Sequence, residues 1–128
     1  MVGIVLVSHS FELANGLARL AGQVAGDGVR VEPAGGGPQG SLGTTDGSVR
    51  DAIQRADAGQ GVVVLGDLGS SILTVRHLLE EMHTNGHVRL VDAPFVEGAI
   101  AAAVMSSAGM ELADVARAAE EARDARKF

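Results

Sequence analysis

Four short apolar runs, each followed by a segment in which apolar residues recur at helical spacing, constrain the fold of this chain most strongly. They predict β-strands at Val2–Ser8, Val29–Pro33, Val62–Leu65 and Val88–Val91. The first and third runs are almost purely apolar, which is typical of parallel strands that are covered on both faces. Because the strands alternate with helices over short loops, the sequence predicts an α/β domain with a mainly parallel sheet.

The helical segments complete a doubly wound architecture of three layers. They are predicted from Phe11 to about Ala25, from Thr45 or Asp46 to about Ala56, over Ile72–Met82, from about Val96 to Ser107, and from Leu112 towards Phe128. Right-handed crossovers leave few topologies for such a chain, so a sheet of about four strands is expected in the order 2-1-3-4. The length of 128 residues fits one domain, residues 1–128.

Composition and charge exclude several classes of function. Aromatic residues make up 2% of the chain and Trp and Tyr are absent, so the stacking surfaces that bind bases are missing. The formal charge of −6 also argues against a nucleic-acid partner. The absence of cysteine removes disulfides, zinc ribbons and thiol catalysis. The apolar opening is too short for a signal or membrane segment, and we expect a cytoplasmic protein with no membrane partner.

A histidine and an aspartate follow the first and third predicted strands. These strands are neighbours in a 2-1-3-4 sheet, so His9 and Asp67 emerge at the same crevice, where the strand order reverses. A neutral imidazole with one free ring nitrogen can attack a phosphoryl group. A carboxylate on the other nitrogen selects the tautomer and stabilises the cationic ring. The sequence therefore predicts that His9 accepts a phosphoryl group and that Asp67 orients it.

Helix starts and hydroxyl groups beside this pair are the candidates for binding the phosphoryl oxygens. Free N–H groups and the positive end of a helix dipole are expected where helices begin after His9 and after Asp67. The predicted phosphate-binding residues are Ser10, Thr45, Gly69, Ser70 and Ser71, and Ser8 offers a further hydroxyl. The glycine-rich loop Gly35–Thr45 is expected to close over the site through the segment Gly43–Thr45. No bound metal or cofactor is expected.

Simpler interpretations of the same residues stay open. His9 can be an ordinary loop or capping residue, Asp67 a turn residue, and the glycine-rich stretch a plain loop. The loop lacks the G-x-x-x-x-G-K-[ST] pattern of nucleotide-binding loops, and Ser70 does not lie in a G-x-S-x-G elbow. The remaining histidines lack the spacing of metal ligands and are expected at the surface; they are His77, His83 and His87.

Four short segments carry a resemblance to a known family. They are V-S-H-S at Val7–Ser10, G-T-T-D at Gly43–Asp46, D-L-G-S-S at Asp67–Ser71 and A-P-F-V-E-G-A at Ala93–Ala99. In matching order, they resemble the phosphotransfer subunits of PEP-dependent dihydroxyacetone kinases. More distantly, they resemble the IIA domains of mannose-type sugar phosphotransferase systems. The resemblance covers nearly the whole chain and implies a homodimeric α/β fold with a phosphohistidine relay.

The resemblance also implies the partners of the relay. His9 would take its phosphoryl group from phosphoenolpyruvate through the phosphocarrier protein HPr. It would pass the group to ADP on the nucleotide-binding kinase subunit, which drives phosphorylation of dihydroxyacetone. As in the mannose-type relatives, Asp67 would bond to the histidine and Ser70 would lie beside the phosphate. Thr45 stands where a serine is commoner and keeps the hydroxyl. Because the chain ends at Phe128, separate carrier proteins are expected.

Three other functions are alternatives to this relay. A mannose-type IIA domain would use the same histidine but would pass the phosphoryl group to a IIB domain. A small-ligand or assembly module would leave the histidine inert. A receiver domain, which is phosphorylated on aspartate, shares the strand order, but it needs an acidic pair after the first strand and this chain has none there.

Overall fold

Four parallel strands form one sheet with helices on both faces in the computed structural model, which describes residues 1–128. The strands are β1 (Gly3–Ser8), β2 (Val31–Gly35), β3 (Val62–Gly66) and β4 (Val88–Leu90). The helices are α1 (Phe11–Ala25), α2 (Asp46–Ala56), α3 (Gly69–Met82), α4 (Phe95–Ser107) and α5 (Leu112–Glu121). The strand order is β2-β1-β3-β4. The predicted doubly wound α/β fold and its strand order are therefore confirmed.

Each face of the sheet buries its own apolar cluster. Ile4 and Leu6 of β1 pack on one side with α1, α4 and α5, whereas Val5 and Val7 pack on the other side with α2 and α3. Every residue of β1 and β3 is buried. Because successive strand residues point to opposite faces, a sheet that is covered on both sides requires such uninterrupted apolar strands.

The second strand spans Val31–Gly35 rather than the predicted Val29–Pro33. Pairing with β1 sets the ends of β2, because the two strands pair residue by residue from Ile4 opposite Val31 to Ser8 opposite Gly35. Its proline is tolerated because β2 is an edge strand. Gly35 is needed where α1 begins, since an added Cβ would lie 2.6 Å from the carbonyl oxygen of Ser10. Proline and glycine, which usually break strands, here belong to one.

The C-terminal segment is helical over a shorter range than predicted. Helix α5 ends at Glu121, a turn of 3-10 helix follows at Ala122–Asp124, and the chain then runs without regular structure to Phe128. A separate turn of 3-10 helix lies in the glycine-rich loop at Pro38–Gly40. None of the helices combines the length and the hydropathy needed to cross a bilayer.

Gly3 is expected to tolerate no side chain. An added Cβ would lie 2.1 Å from the carbonyl oxygen of Ala56, and this neighbour is backbone that cannot rotate away. We expect Gly3→Ala to lower the free energy of unfolding by about 3 kcal/mol, as measured by urea denaturation. The control is Gly22→Ala in α1, where an added Cβ meets nothing within 4 Å; it should raise stability by up to about 1 kcal/mol. Equal stabilities of the two variants would contradict the close approach.

Candidate functional site

The tips of β1 and β3 bring a histidine and an aspartate together. The strands pair up to Val7 opposite Gly66, and the N–H of Asp67 donates to the carbonyl oxygen of Val7 at 3.1 Å. His9 follows β1 directly, and its Nδ1 lies 3.1 Å from Oδ1 of Asp67. The two side chains therefore meet at the carboxyl edge of the sheet, where the strand order reverses.

Asp67 accepts hydrogen bonds from both sides of the crevice. Its Oδ2 accepts from the Ser8 hydroxyl at 2.8 Å and from the N–H of His9 at 3.1 Å. Its Oδ1 accepts from the Ser71 hydroxyl at 2.8 Å and from the N–H of Leu68 at 2.7 Å, and it also faces the His9 ring. Only 11% of the Asp67 side chain is exposed. Protein donors, rather than water, thus hold the carboxylate in place.

These donors keep Asp67 ionised. Burial by itself would raise the pKa of Asp67, but hydrogen bonds from Ser8, Ser71 and His9 outweigh it and lower the pKa from 3.8 to about 2. An ionised carboxylate accepts hydrogen bonds and donates none. At neutral pH, the hydrogen between the two side chains is therefore carried by Nδ1 of His9.

The second ring nitrogen of His9 lies on the exposed side of the pair. With a hydrogen on Nδ1, a neutral ring keeps a lone pair at Nε2, and the Ser70 hydroxyl donates to it. The His9 side chain is 22% exposed, twice the fraction of Asp67. The ring is thus oriented from one side and accessible from the other, which is the arrangement of an activated nucleophile.

The start of α3 lies beside Nε2 and offers free N–H groups. No side chain caps α3 at Gly69, whereas a serine caps α1 and a threonine caps α2. The first N–H groups of an uncapped helix lack acceptors and, together with the helix dipole, favour an anion. Ser70 and Ser71 belong to this first turn, and the Ser70 hydroxyl contacts Nε2 of His9. The free donors therefore lie on the side of the ring where a phosphoryl group would be attached.

Two of the predicted phosphate-binding residues are the caps of α1 and α2. The Ser10 hydroxyl accepts from the N–H of Leu13 at 3.2 Å, and the Thr45 hydroxyl accepts from the N–H of Ser48 at 3.3 Å. Serine and threonine are preferred at these positions because they satisfy an N–H group that has no acceptor within the helix. The structure does not bring either hydroxyl into contact with the His9 ring. The hydrogen of the Ser10 hydroxyl is directed to Glu12 and that of Thr45 to Ser48, so a role in binding phosphate would require each hydrogen to be redirected.

Two further hydroxyls surround the pair in roles that sequence reasoning did not assign. Ser8, expected only as a phosphate ligand, is fully buried and bonds to Asp67 instead. Thr44, expected only as part of a lid, has its Oγ1 3.1 Å from Oγ of Ser71. No local signal reveals this last contact, because its two partners are 27 residues apart in the sequence.

The glycine-rich loop is held against the site by its backbone. The N–H of Gly36 donates to the carbonyl oxygen of Ser8 at 3.2 Å, and the N–H of Gly43 donates to that of His9 at 2.9 Å. Both glycines have positive φ angles, +83° and +142°, which favour glycine over residues with a side chain. The loop thus lies against the backbone of Ser8 and His9. Its movement as a lid stays a prediction.

The other histidines lie outside this site. His87 pairs with Asp57 at 2.9 Å and is half-buried, and His77 pairs with Glu81 at 3.1 Å on the exposed face of α3. His83 is exposed at the end of α3, where its φ is 51°. No group of three or more His, Asp or Glu side chains is placed so that it could share a metal ion.

Solved structures and a family model match this chain over most of its length. The EIIA-man model, described as the PTS system fructose IIA component, matches residues 3–116. The crystal structure of EF1359, a protein of unknown function, has a TM-score of 0.82 and 31% identity, covering 94% of this chain and 95% of that one. A sigma-54 interaction domain protein from Enterococcus faecalis shares the fold, with a TM-score of 0.66 at 19% identity over 91% of this chain and 85% of that one.

Sequence relatives come from several bacteria. The phosphoryl donor subunit DhaM of PEP-dependent dihydroxyacetone kinase 2 from Listeria innocua is 37% identical over 83% of this chain and 86% of its own length. The phosphotransferase subunit DhaM of the PTS-dependent dihydroxyacetone kinase from Lactococcus lactis is 36% identical over 84% of each chain. The DhaM of Escherichia coli K12 is 35% identical over 99% of this chain but only 28% of its own length. The chain therefore belongs to the EIIA-man family of phosphotransferase-system IIA domains and is DhaM-like.

Proposed function

We propose that the chain is the phosphotransfer subunit of a PEP-dependent dihydroxyacetone kinase. In this role, His9 takes a phosphoryl group from phospho-HPr and passes it to ADP on the nucleotide-binding kinase subunit. One observation carries the proposal: Nδ1 of His9 is paired with an ionised Asp67, while Nε2 lies at the uncapped start of α3. The names of the DhaM relatives support dihydroxyacetone as the final substrate.

In the first transfer, the Nε2 lone pair of His9 attacks the phosphorus atom of phospho-HPr. A P–N bond forms at His9 while the P–N bond in HPr breaks, and the electron pair of that bond returns to the ring nitrogen of HPr. The His9 ring becomes cationic and keeps its hydrogen on Nδ1. The negative charge of Asp67, 3.1 Å away, stabilises this cation. Positioning and charge stabilisation are the main requirements of phosphoryl transfer.

In the second transfer, a terminal phosphate oxygen of ADP attacks the phosphorus atom held by His9. The P–N bond breaks, its electron pair returns to Nε2, and the neutral ring is restored with its hydrogen on Nδ1. The N–H groups of the first turn of α3, from Gly69 onwards, and the Ser70 hydroxyl bind the phosphoryl oxygens during both transfers. The Ser71 hydroxyl is already bound to Asp67, so it supports the carboxylate rather than the phosphate.

The relay requires that two partner proteins reach His9 in turn. The exposed side of the ring faces Ser70 in the first turn of α3. A groove of about 650 Å³ borders the same helix start and is lined in part by Leu68, Gly69 and Arg76, although His9 itself does not line it. We include a homodimer in the proposal on the ground of the family resemblance. Its interface must leave this edge of the sheet accessible to both HPr and the kinase subunit.

A sugar-specific IIA domain is the second candidate, because the matching family model is described as a sugar IIA component. Such a domain would form the same phosphohistidine and would discharge it to a IIB domain. The acceptor that removes the phosphoryl group from the labelled chain distinguishes the two functions. Discharge to ADP on a kinase subunit supports our proposal, whereas discharge to a IIB domain alone contradicts it.

His9→Ala is expected to abolish phosphorylation and to retain the fold. The chain is incubated with phosphoenolpyruvate, enzyme I and HPr, and intact-mass spectrometry measures the acid-labile phosphoryl group. The wild type should gain one group and the variant none, because the nucleophilic nitrogen is gone. His77→Ala, on the exposed face of α3, is the control and should be labelled like the wild type. An unchanged yield of label on His9→Ala would refute the assignment.

Asp67→Asn is expected to slow phosphoryl transfer to His9 by about 100-fold in single-turnover assays. The amide can donate to Nδ1, which favours the tautomer that carries the hydrogen on Nε2, and it cannot neutralise the cationic ring. Asp57→Asn is the matched control, since Asp57 pairs with a different histidine, His87. This control should transfer at the wild-type rate. If Asp67→Asn does so as well, the carboxylate does not set the tautomer.

The lowered pKa of Asp67 predicts a contribution to stability that depends on pH. Folding favours the carboxylate form, so the contribution is complete above the usual pKa of 3.8 and is lost as the pH falls through about 2. The free energies of unfolding of the wild type and Asp67→Asn are compared by denaturant titration between about pH 7 and about pH 2. Their difference should be constant above about pH 5 and should shrink below about pH 4. A difference that does not change with pH would contradict the lowered pKa.

A further inference from the structure

The Ser71 hydroxyl has three polar neighbours. Its Oγ lies 2.8 Å from Oδ1 of Asp67, 3.0 Å from Nδ1 of His9 and 3.1 Å from Oγ1 of Thr44. Ser71 is fully buried, so water does not compete for these positions. A hydroxyl has one hydrogen to donate and two lone pairs that accept. The three neighbours therefore occupy all of its hydrogen-bonding positions.

The chemistry of these neighbours fixes the direction of each hydrogen bond. Asp67 is ionised at neutral pH and can only accept, so the single hydrogen of Ser71 points to it. The two lone pairs of Ser71 then accept from the Thr44 hydroxyl and from Nδ1–H of His9, whose single hydrogen is shared between Oγ of Ser71 and Oδ1 of Asp67. Apart from the His9 ring, Thr44 is the only side chain of the site that donates a hydrogen bond to the Ser71 oxygen.

We infer that Thr44 is a positioning residue of the phosphoryl-transfer site, acting through Ser71 on the ring of His9. Its hydroxyl holds Ser71 in the orientation that donates to Asp67 and accepts from Nδ1–H. Without Thr44, a buried lone pair of Ser71 lacks a donor, which is unfavourable. The hydrogen bond from Ser71 to Asp67 also loses the polarisation that the Thr44 hydroxyl supplies, so the Ser71 hydrogen turns towards Nδ1 more readily. That orientation favours the tautomer with its hydrogen on Nε2, which has no lone pair for attack. The inference rests on the function proposed for His9.

The backbone of the glycine-rich loop brings Thr44 to this position. On one side, the N–H of Gly43 donates to the carbonyl oxygen of His9 at 2.9 Å. On the other side, Thr45 caps α2 through the N–H of Ser48. Thr44 is therefore fixed between two anchors that do not involve its own side chain. Removal of its hydroxyl should change the hydrogen bonding of Ser71 without releasing the loop.

The test compares variants that differ in one hydroxyl. Thr44→Val removes the hydroxyl and keeps the shape, Thr44→Ser restores it, and Thr44→Ala provides a second variant without it. Ser41→Ala is the control within the same loop, because it removes a hydrogen bond to the carbonyl oxygen of Pro38 and leaves the site untouched. Two quantities are measured: the single-turnover rate of transfer from phospho-HPr, and the ¹⁵N chemical shifts of the His9 ring, which report the tautomer.

Thr44→Val and Thr44→Ala are expected to transfer about five- to tenfold more slowly than the wild type. Their ring ¹⁵N shifts should move towards those of the tautomer that carries the hydrogen on Nε2. Thr44→Ser and Ser41→Ala should match the wild type in both measurements. A wild-type rate in Thr44→Ser, together with a changed tautomer in Thr44→Val and Thr44→Ala, would show that the Thr44 hydroxyl positions the His9 ring. A purely structural role of the loop would not change the tautomer.

Two outcomes would overturn the inference. One is a wild-type rate in Thr44→Val and Thr44→Ala. The other is a slower rate with unchanged ¹⁵N shifts, which would show that Thr44 supports only the loop. The NMR measurement needs no phosphoryl donor, so it stays decisive if the wild type is not phosphorylated. In that case the function proposed for His9 fails, while the tautomer still reports whether Thr44 acts on the ring.

Discussion

The carboxylate of Asp67 is the interaction on which the site depends, because it joins two strand tips and a helix at one point. It accepts from Ser8 at the end of β1, from the backbone and ring of His9, and from Ser71 in the first turn of α3. A carboxylate buried without such donors would shift towards its neutral form. With them it stays ionised, and its charge decides which nitrogen of the ring is free to react.

Hydroxyl residues that look alike in the sequence have different tasks around this carboxylate. Ser10 and Thr45 satisfy the N–H groups of α1 and α2, so those two helix starts are capped. The hydroxyls of Ser8 and Ser71 donate hydrogen bonds to the two oxygens of the Asp67 carboxylate. Ser70 alone contacts the nitrogen on the exposed side, at the start of α3, which has no side-chain cap. This distribution leaves one helix start free to receive an anion beside the ring.

Sequence similarity and the geometry of the site both support the proposed function. The family model indicates a IIA domain of the phosphotransferase system, and it matches residues 3–116. The names of the relatives point to dihydroxyacetone kinase. The geometry supports the atom that we propose as the nucleophile, Nε2 of His9, because the hydrogen on Nδ1 faces Asp67. The buried carboxylate of Asp67 orients the ring, and the opposite side of the ring is exposed. This arrangement suits a phosphoryl group that is received from one protein and passed to another.

The sequence by itself determined the strand order and the place where His9 and Asp67 meet, because the apolar pattern of each strand is local and fixes which faces are buried. Only the tertiary structure decided the rest. It extended β2 to Gly35, where the close approach of α1 needs a glycine. It also showed that Ser10 and Thr45 cap α1 and α2 and that the Thr44 hydroxyl contacts the Ser71 hydroxyl. The direction of a hydroxyl depends on partners that can be distant along the chain, and no local pattern records them.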